Sequence, residues 1–228
     1  MIKFNPDEYV QTMKELCGDP AECKLPTSYF GNVRGWDYKQ ILEKGEFSPD
    51  DVVLEVGALH SFFCIYLSQK VSKYVCTDNF YWAKRDYCNS QTHQTPEEWC
   101  QYIERKGRGK IVGGEADIQN LPYPDNTFDK LVSISVMEHI LDDALALREM
   151  MRVLKPGGLL LMTMEYHPTW HKDYSEEDGS YYRCYNREDK DKLLQGLNIE
   201  DEEVCLSWHE PLILPPEEFT AIFVKIRK

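Results

Sequence analysis

Acidic and histidine side chains stand directly at or behind apolar runs in this chain, and their types and spacing suit a polar ligand. Glu55 and Gly57 end and follow Val52-Val53-Leu54-Glu55-Val56. Asp78 follows Lys73-Tyr74-Val75-Cys76-Thr77, Asp117 follows Lys110-Ile111-Val112-Gly113-Gly114-Glu115-Ala116, and Ser133, Ser135, Glu138 and His139 end and follow the run beginning at Phe128. A glycine behind an acidic strand end lets backbone approach a ligand closely. A carboxylate in the place of Asp78 accepts hydrogen bonds from two hydroxyls of a ribose. His139 is a candidate general base for a hydroxyl or amine; the plainer alternative is that Glu138-His139 shapes its loop. His167, in Glu165-Tyr166-His167-Pro168-Thr169-Trp170-His171, is the second base candidate.

These residues need a scaffold that brings strand ends together. Five short apolar runs read as strands: 52–56, 73–77, 110–116, 128–134 and 159–164. Helical sequence separates most of them, at about 61–69, 95–106 and 142–154. Thr95 is a natural N-cap with Pro96 at the first helical position and Glu97 and Glu98 in the first turn. Lys155-Pro156-Gly157-Gly158 is a strong helix stop. Strands alternating with helices imply a parallel sheet covered on both faces, with ligands outside the carboxyl ends of the strands. Residues 204–208 and 219–226 read as two further strands joined without a helix, which favours antiparallel pairing. The expected fold class is α/β: a doubly wound, seven-stranded sheet, mostly parallel, with one antiparallel edge strand. Before it, helices are expected at 6–17, with Asn5 as N-cap, and at 37–44. Residues 1–50 thus form a helical cap, and 1–228 a single domain whose core is 51–228.

Composition narrows the partners. Thirty-nine acidic against 26 basic residues give a net charge of −13, which repels a phosphate backbone, so nucleic acid is not expected as the partner. No apolar run reaches the roughly 20 residues of a membrane span, so no membrane association is expected either. The first residues lack an apolar leader, so the expected location is cytoplasmic. The eight cysteines show no Cys-x-x-Cys pair and no zinc-site spacing, which points to reduced thiols and to no metal.

An ordered series now becomes specific: Ala116-Asp117, Leu121-Pro122-Tyr123, Phe128-Asp129, Glu138-His139-Ile140, Arg148-Glu149, then Val153-Leu154-Lys155-Pro156-Gly157-Gly158. In this series the chain resembles the class I S-adenosylmethionine-dependent methyltransferases of Rossmann-like fold, over roughly residues 50–165. The resemblance implies S-adenosylmethionine as cofactor and S-adenosylhomocysteine as product. It implies that Glu55, Gly57, Ala58, Leu59 and Ser61 form the cofactor loop and that Asp78 holds the ribose. Asn79 and Phe80 would flank the adenosine, Asp117 would meet the adenine amino group with the Ile118 amide near the ring, and Ser135 would lie beside the methionine portion. Tyr29 and Arg34, before the first strand, would meet the cofactor carboxylate. Some relatives bind a metal with the Glu-His pair and a Glu three residues earlier; that position is Ser135 here, so no metal is expected.

Leu59 and Ser61 depart from the resemblance, because the family usually has glycine at both positions. Either the loop is reshaped and still binds, or the domain has kept its fold and lost its cofactor. The presence of Asp78, Asp117 and Glu138-His139 favours binding. The expected activity is therefore methyl transfer to a small polar molecule, with an oxygen acceptor, a sugar or surface-glycan precursor, as the finer expectation. The alternative is a degenerate, non-catalytic binding or scaffold protein. The tyrosines of 173–185 have two readings: they cover an edge of the core, or with Arg183 they wall the acceptor, Arg183 meeting a phosphate or carboxylate on it. Tyr81, Trp82, Trp99 and Tyr102 belong to a long insert suited to a lid or a dimer surface. The protein is expected as a monomer or homodimer.

Overall fold

The computed structural model of the chain describes residues 5–17, 33–59, 63–81, 95–177, 180–205 and 220–228. Two helices come first, α1 (Pro6–Cys17) and α2 (Val33–Lys44). The amides of Asp7 and Glu8 both lie within hydrogen-bond reach of Oδ1 of Asn5, the cap the sequence implies. The core follows as β1 (Val52–Val56), α3 (Phe63–Ser68), β2 (Lys73–Asp78), α4 (Pro96–Lys106), β3 (Ile111–Glu115) and β4 (Phe128–Ile134). Then come a 3-10 turn (Met137–His139), α5 (Asp143–Val153) and the long β5 (Leu154–Tyr166). The chain closes with β6 (Lys172–Glu177), β7 (Ser180–Cys184), α6 (Arg187–Leu193), β8 (Asn198–Val204) and β9 (Thr220–Arg227).

Seven strands form one sheet in the order β3-β2-β1-β4-β5-β9-β8. β1 to β5 are mutually parallel wherever they pair. β9 runs antiparallel to β5 from Leu159↔Arg227 to Tyr166↔Thr220, and β8 runs antiparallel to β9. The reversed strand β9 thus lies at the expected end of the sheet, one place in from the outermost strand β8. The chain starts at β1, moves outward to β3 and returns on the other side of β1 as β4. The switch point, where an open α/β sheet binds its ligand, therefore falls between β1 and β4.

Each helix lies where its apolar spacing requires. α4 begins with a full capping box between Thr95 and Glu98 and buries Trp99 and Ile103. α5 is capped by Asp142, whose carboxylate accepts the Leu145 amide at 2.8 Å, and buries Ala146, Leu147, Met150 and Val153. One face of the sheet shares its core with α1 to α4, where Tyr9, Tyr38, Phe63 and Tyr66 interlock. The other face carries α5, the 3-10 turn, Tyr166 and Tyr185. Among the described residues, no helix is long and apolar enough to cross a membrane.

α2 starts at Val33, one turn ahead of the expected 37–44, and three later elements also differ from the sequence reading. β8 lies at 198–204, ahead of the run at 204–208, and residues 206–208 fall outside the described ones. Its sequence, Asn-Ile-Glu-Asp-Glu-Glu-Val, is mostly exposed. An acidic outer strand resists edge-to-edge pairing and leaves no apolar signature. The stretch 173–185 is not a loop but largely the hairpin β6–β7, paired from Lys172↔Cys184 to Glu177↔Ser180. α6, capped by a reciprocal Asn186–Asp189 box, stands where no helix is expected.

Candidate active site

At the carboxyl ends of β1 and β2 the site is built from backbone. Gly57 has φ +65°, and a Cβ there would lie 2.4 Å from Cγ2 of Val136. Glycine is thus required both for the left-handed turn and for the close approach of the segment behind β4. The Ala58 amide donates to the Thr77 carbonyl at 3.0 Å, which ties the turn to β2. The Leu59 amide donates to Oδ2 of Asp78 at 3.0 Å, and the Phe80 amide donates to Oδ1 at 2.6 Å. Asp78 is buried and held from both sides. A carboxylate oxygen can accept more than one hydrogen bond.

Leu59 is accommodated by this arrangement. It is not among the residues with positive φ, and its amide serves the Asp78 carboxylate. Ser61 and Tyr29 lie outside the described residues, and for Arg34 only its place in the first turn of α2 is described.

Glu55 and Phe80 sit differently from the sequence expectation. Glu55 is buried on β1, and its Oε2 accepts the Tyr74 hydroxyl at 2.7 Å. Its carboxylate lies within 4.8 Å of the Cys64 and Cys76 thiols, which are fully buried. Burial pushes both thiols and the Tyr74 phenol above their ordinary values. Glu55 therefore turns into the core. The Phe80 ring is buried edge-on against Trp99, centroids 5.8 Å apart. What Phe80 offers the site is its backbone: φ +54° folds its amide back onto Asp78. The exposed Asn79 accepts the Tyr81 amide at 2.9 Å.

The ends of β3 and β4 complete the rim. Asp117 is exposed in a tight turn; its Oδ1 accepts the Gln119 amide at 2.9 Å, and the Ile118 side chain is buried beneath. Ser135 is half-buried with φ +51°, its amide donating to the Thr163 carbonyl at 3.1 Å. His139 closes the 3-10 turn half-buried, while Glu138 beside it is fully buried. Asp78, Gly57, Ser135 and His139 thus follow the adjacent strands β2, β1 and β4.

Two acceptor-side expectations are corrected. His167 is buried, and its Nδ1 accepts the amides of Thr169 at 3.1 Å and Trp170 at 2.7 Å. A neutral imidazole accepting at Nδ1 carries its proton on Nε2. His167 is then a hydrogen-bond donor at Nε2 and a turn-former. Arg183 is engaged within the protein. Its guanidinium binds Asp143 at 2.6 Å and the carbonyls of Ile140 and Leu141 at 2.7 and 2.9 Å. Sequence reasoning did not foresee that link, because residues 143 and 183 are joined only by the unexpected hairpin.

The family model described as a methyltransferase domain matches residues 54–162. Over that stretch, a little under half of its length, the chain carries a methyltransferase domain of the class I S-adenosylmethionine-dependent kind. A similar relative is a ubiquinone/menaquinone biosynthesis C-methyltransferase of Cellvibrio japonicus, 48% identical over 60 residues. That match covers 26% of this chain and 24% of the relative, so it spans about a quarter of the relative's length. Among solved structures, a putative methyltransferase of Bacillus halodurans superposes with a TM-score of 0.65 at 18% identity, covering 85% of this chain and 99% of that one. A Burkholderia thailandensis 1,6-didemethyltoxoflavin-N1-methyltransferase, with its substrate and S-adenosylhomocysteine bound, superposes at 0.64 and 14% identity, covering 100% and 92%. At such identities the structures share the fold of this methyltransferase domain.

Proposed function

We propose that the chain binds S-adenosylmethionine over the ends of β1, β2 and β3 and transfers its methyl group to a small-molecule acceptor over β4 and β5. The observation that carries this reading is the Asp78 carboxylate, fixed by the Leu59 and Phe80 amides beside a turn where only glycine fits. A rigid acceptor for a diol beside bare backbone suits a nucleoside ligand, so the residues present fit this cofactor. S-adenosylmethionine, when bound, supplies a methyl group activated on a sulfonium.

The chain's own contribution is placement. Asp78 takes the ribose hydroxyls, the outward side of Asp117 takes the adenine amino group, and the strained turn at Ser135 lies beside the methionine end. Holding donor and acceptor in line accounts for most of the acceleration such a site gives. His139 removes the acceptor's proton where one must leave. The finer expectation of an oxygen acceptor on a sugar finds no support among the relatives, since the one named above is a C-methyltransferase. The acceptor is accordingly read as a small molecule, without assigning its atom.

Calorimetric titration of the purified chain with S-adenosylmethionine and S-adenosylhomocysteine tests this. Micromolar binding that Asp78→Ala weakens is expected. Absence of binding by folded wild-type protein would turn the reading to the scaffold alternative.

A further inference from the structure

The connection from Met137 to Asp143 carries Glu138 and His139, yet little of its own backbone bonding holds it. A 3-10 turn of three residues has poor intrinsic support. Its own bonds are His139 N to Val136 O at 2.9 Å and Ile140 N to Met137 O at 3.2 Å. The Asp142 amide also donates to Gln119 Oε1 at 3.3 Å, and further support comes from the far side of the sequence. Arg183 Nη1 donates to Asp143 Oδ2 at 2.6 Å, and Nη2 lies 2.7 and 2.9 Å from the carbonyls of Ile140 and Leu141. The Tyr185 hydroxyl lies 2.8 Å from the same Asp143 oxygen and 3.2 Å from the Met137 carbonyl. The Arg183 and Asp143 side chains are each only 17% exposed, so this is not a loose surface pair. Tyr185 is in turn locked to the end of β5: its carbonyl accepts the His167 amide at 2.8 Å, and its amide donates to the Glu165 carbonyl at 3.2 Å.

We propose that Arg183 and Tyr185 are positioning residues, which act through Asp143 and the turn carbonyls to fix His139 relative to the ends of β4 and β5. The β6–β7 hairpin is then not merely a cover. It couples the two segments that border the acceptor, so that His139 keeps one place while the acceptor enters. The planar guanidinium suits this task, because one rigid fork serves a carboxylate and two carbonyls at once. What His139 does for an acceptor rests on the methyl-transfer reading; where His139 is held does not.

The test uses the imidazole resonances of histidine-labelled protein, with His139 assigned among the six histidines by His139→Gln. Wild type is compared with Arg183→Ala, Arg183→Lys, Tyr185→Phe and Asp143→Asn. Ile103→Val, a core change on the opposite face, controls for general loss of stability. The His139 signal is expected to shift and broaden in Arg183→Ala, Asp143→Asn and Tyr185→Phe, to recover partly in Arg183→Lys, and to stay in place in Ile103→Val. Should Arg183→Ala not fold, Tyr185→Phe, which loses a single hydroxyl, reads the same coupling. A His139 signal coincident with wild type in the folded variants, or one displaced equally by Ile103→Val, overturns the proposal. S-adenosylhomocysteine is titrated into wild type in parallel. A shifted His139 signal without binding leaves the positioning role standing and sinks the methyl-transfer reading; binding with an unmoved signal does the reverse.

Discussion

The Leu59 amide and the Asp78 carboxylate meet at 3.0 Å, and this bond joins the turn behind β1 to the end of β2. It explains why a leucine is acceptable at a position where the family usually has glycine. The loop needs an amide there, aimed at Asp78, and any residue with negative φ supplies one.

Asp78 therefore shapes the loop, and on the proposed reading it also holds the ribose. Asp78→Ala is expected to weaken S-adenosylhomocysteine binding by about 1–3 kcal/mol, five- to 150-fold, the cost of hydrogen bonds left unmade. Asp78→Asn is expected to fail too, because its NH2 group would face the Leu59 or the Phe80 amide. Calorimetry gives the affinity and a melting curve gives the loop's share. Wild-type affinity in Asp78→Asn would remove the ribose from this position.

Gly57 makes a sharper steric prediction. Its φ is +65°, and a methyl group added at its Cα would come within 2.4 Å of Val136, so Gly57→Ala suffers both backbone strain and overlap. A loss of about 1–3 kcal/mol in stability is expected. Val136→Ala should recover only the overlap share, so the double variant is expected to melt between the single Gly57→Ala protein and Val136→Ala. Gly57→Ala melting with wild type would show that the turn relaxes freely.

The strand ends that the proposed cofactor site uses are legible in the sequence. Asp78, Gly57 and Asp117 stand at strand ends that hydrophobic runs mark directly, and α4 announces itself by Thr95, Pro96 and Glu98. The acceptor half was less legible, for two physical reasons. β6 and β7 mix charged residues, serines and tyrosines, so no apolar run distinguishes the hairpin from a loop. The Arg183–Asp143 contact spans forty positions and depends on that hairpin. Side-chain direction was likewise invisible: Glu55 has the spacing of a loop ligand, and only its bond to Tyr74 reveals that it turns into the core.

Acid sensitivity should appear at the opposite end of the sheet. Glu46 pairs with Lys225 and Arg227 of β9, and the Lys225 hydrogen bond foremost holds its carboxyl down at about 2, from an ordinary 4.5. A depressed carboxyl stabilises the fold above its unfolded value, and that contribution is lost as pH falls towards the folded one. Glu46 is 48% exposed, so solvent screening keeps the effect under about 1 kcal/mol. Glu46→Gln is expected to melt slightly below wild type at pH 7, the gap closing between pH 4.5 and 2. A gap that stays constant through that window would separate the pair from any acid effect.

His167 offers the cleanest separation of architecture from chemistry. Its Nδ1 accepts the Trp170 amide at 2.7 Å and the Thr169 amide at 3.1 Å, and its ring stands edge-on to Trp170. An asparagine oxygen occupies nearly the place of Nδ1 and accepts the same amides, but it cannot take up a proton. His167→Asn is therefore expected to melt close to wild type and to retain both S-adenosylhomocysteine affinity and methyl transfer. His167→Ala leaves the amides without this acceptor and is expected to lose about 1–2 kcal/mol, less than a fully buried pair would, because Thr169 is exposed to water. His139→Gln should show the contrary pattern, with stability kept and transfer to a protonated acceptor lowered. If His167→Asn folds and binds as wild type yet loses transfer, the tautomer argument fails and His167 returns as the base.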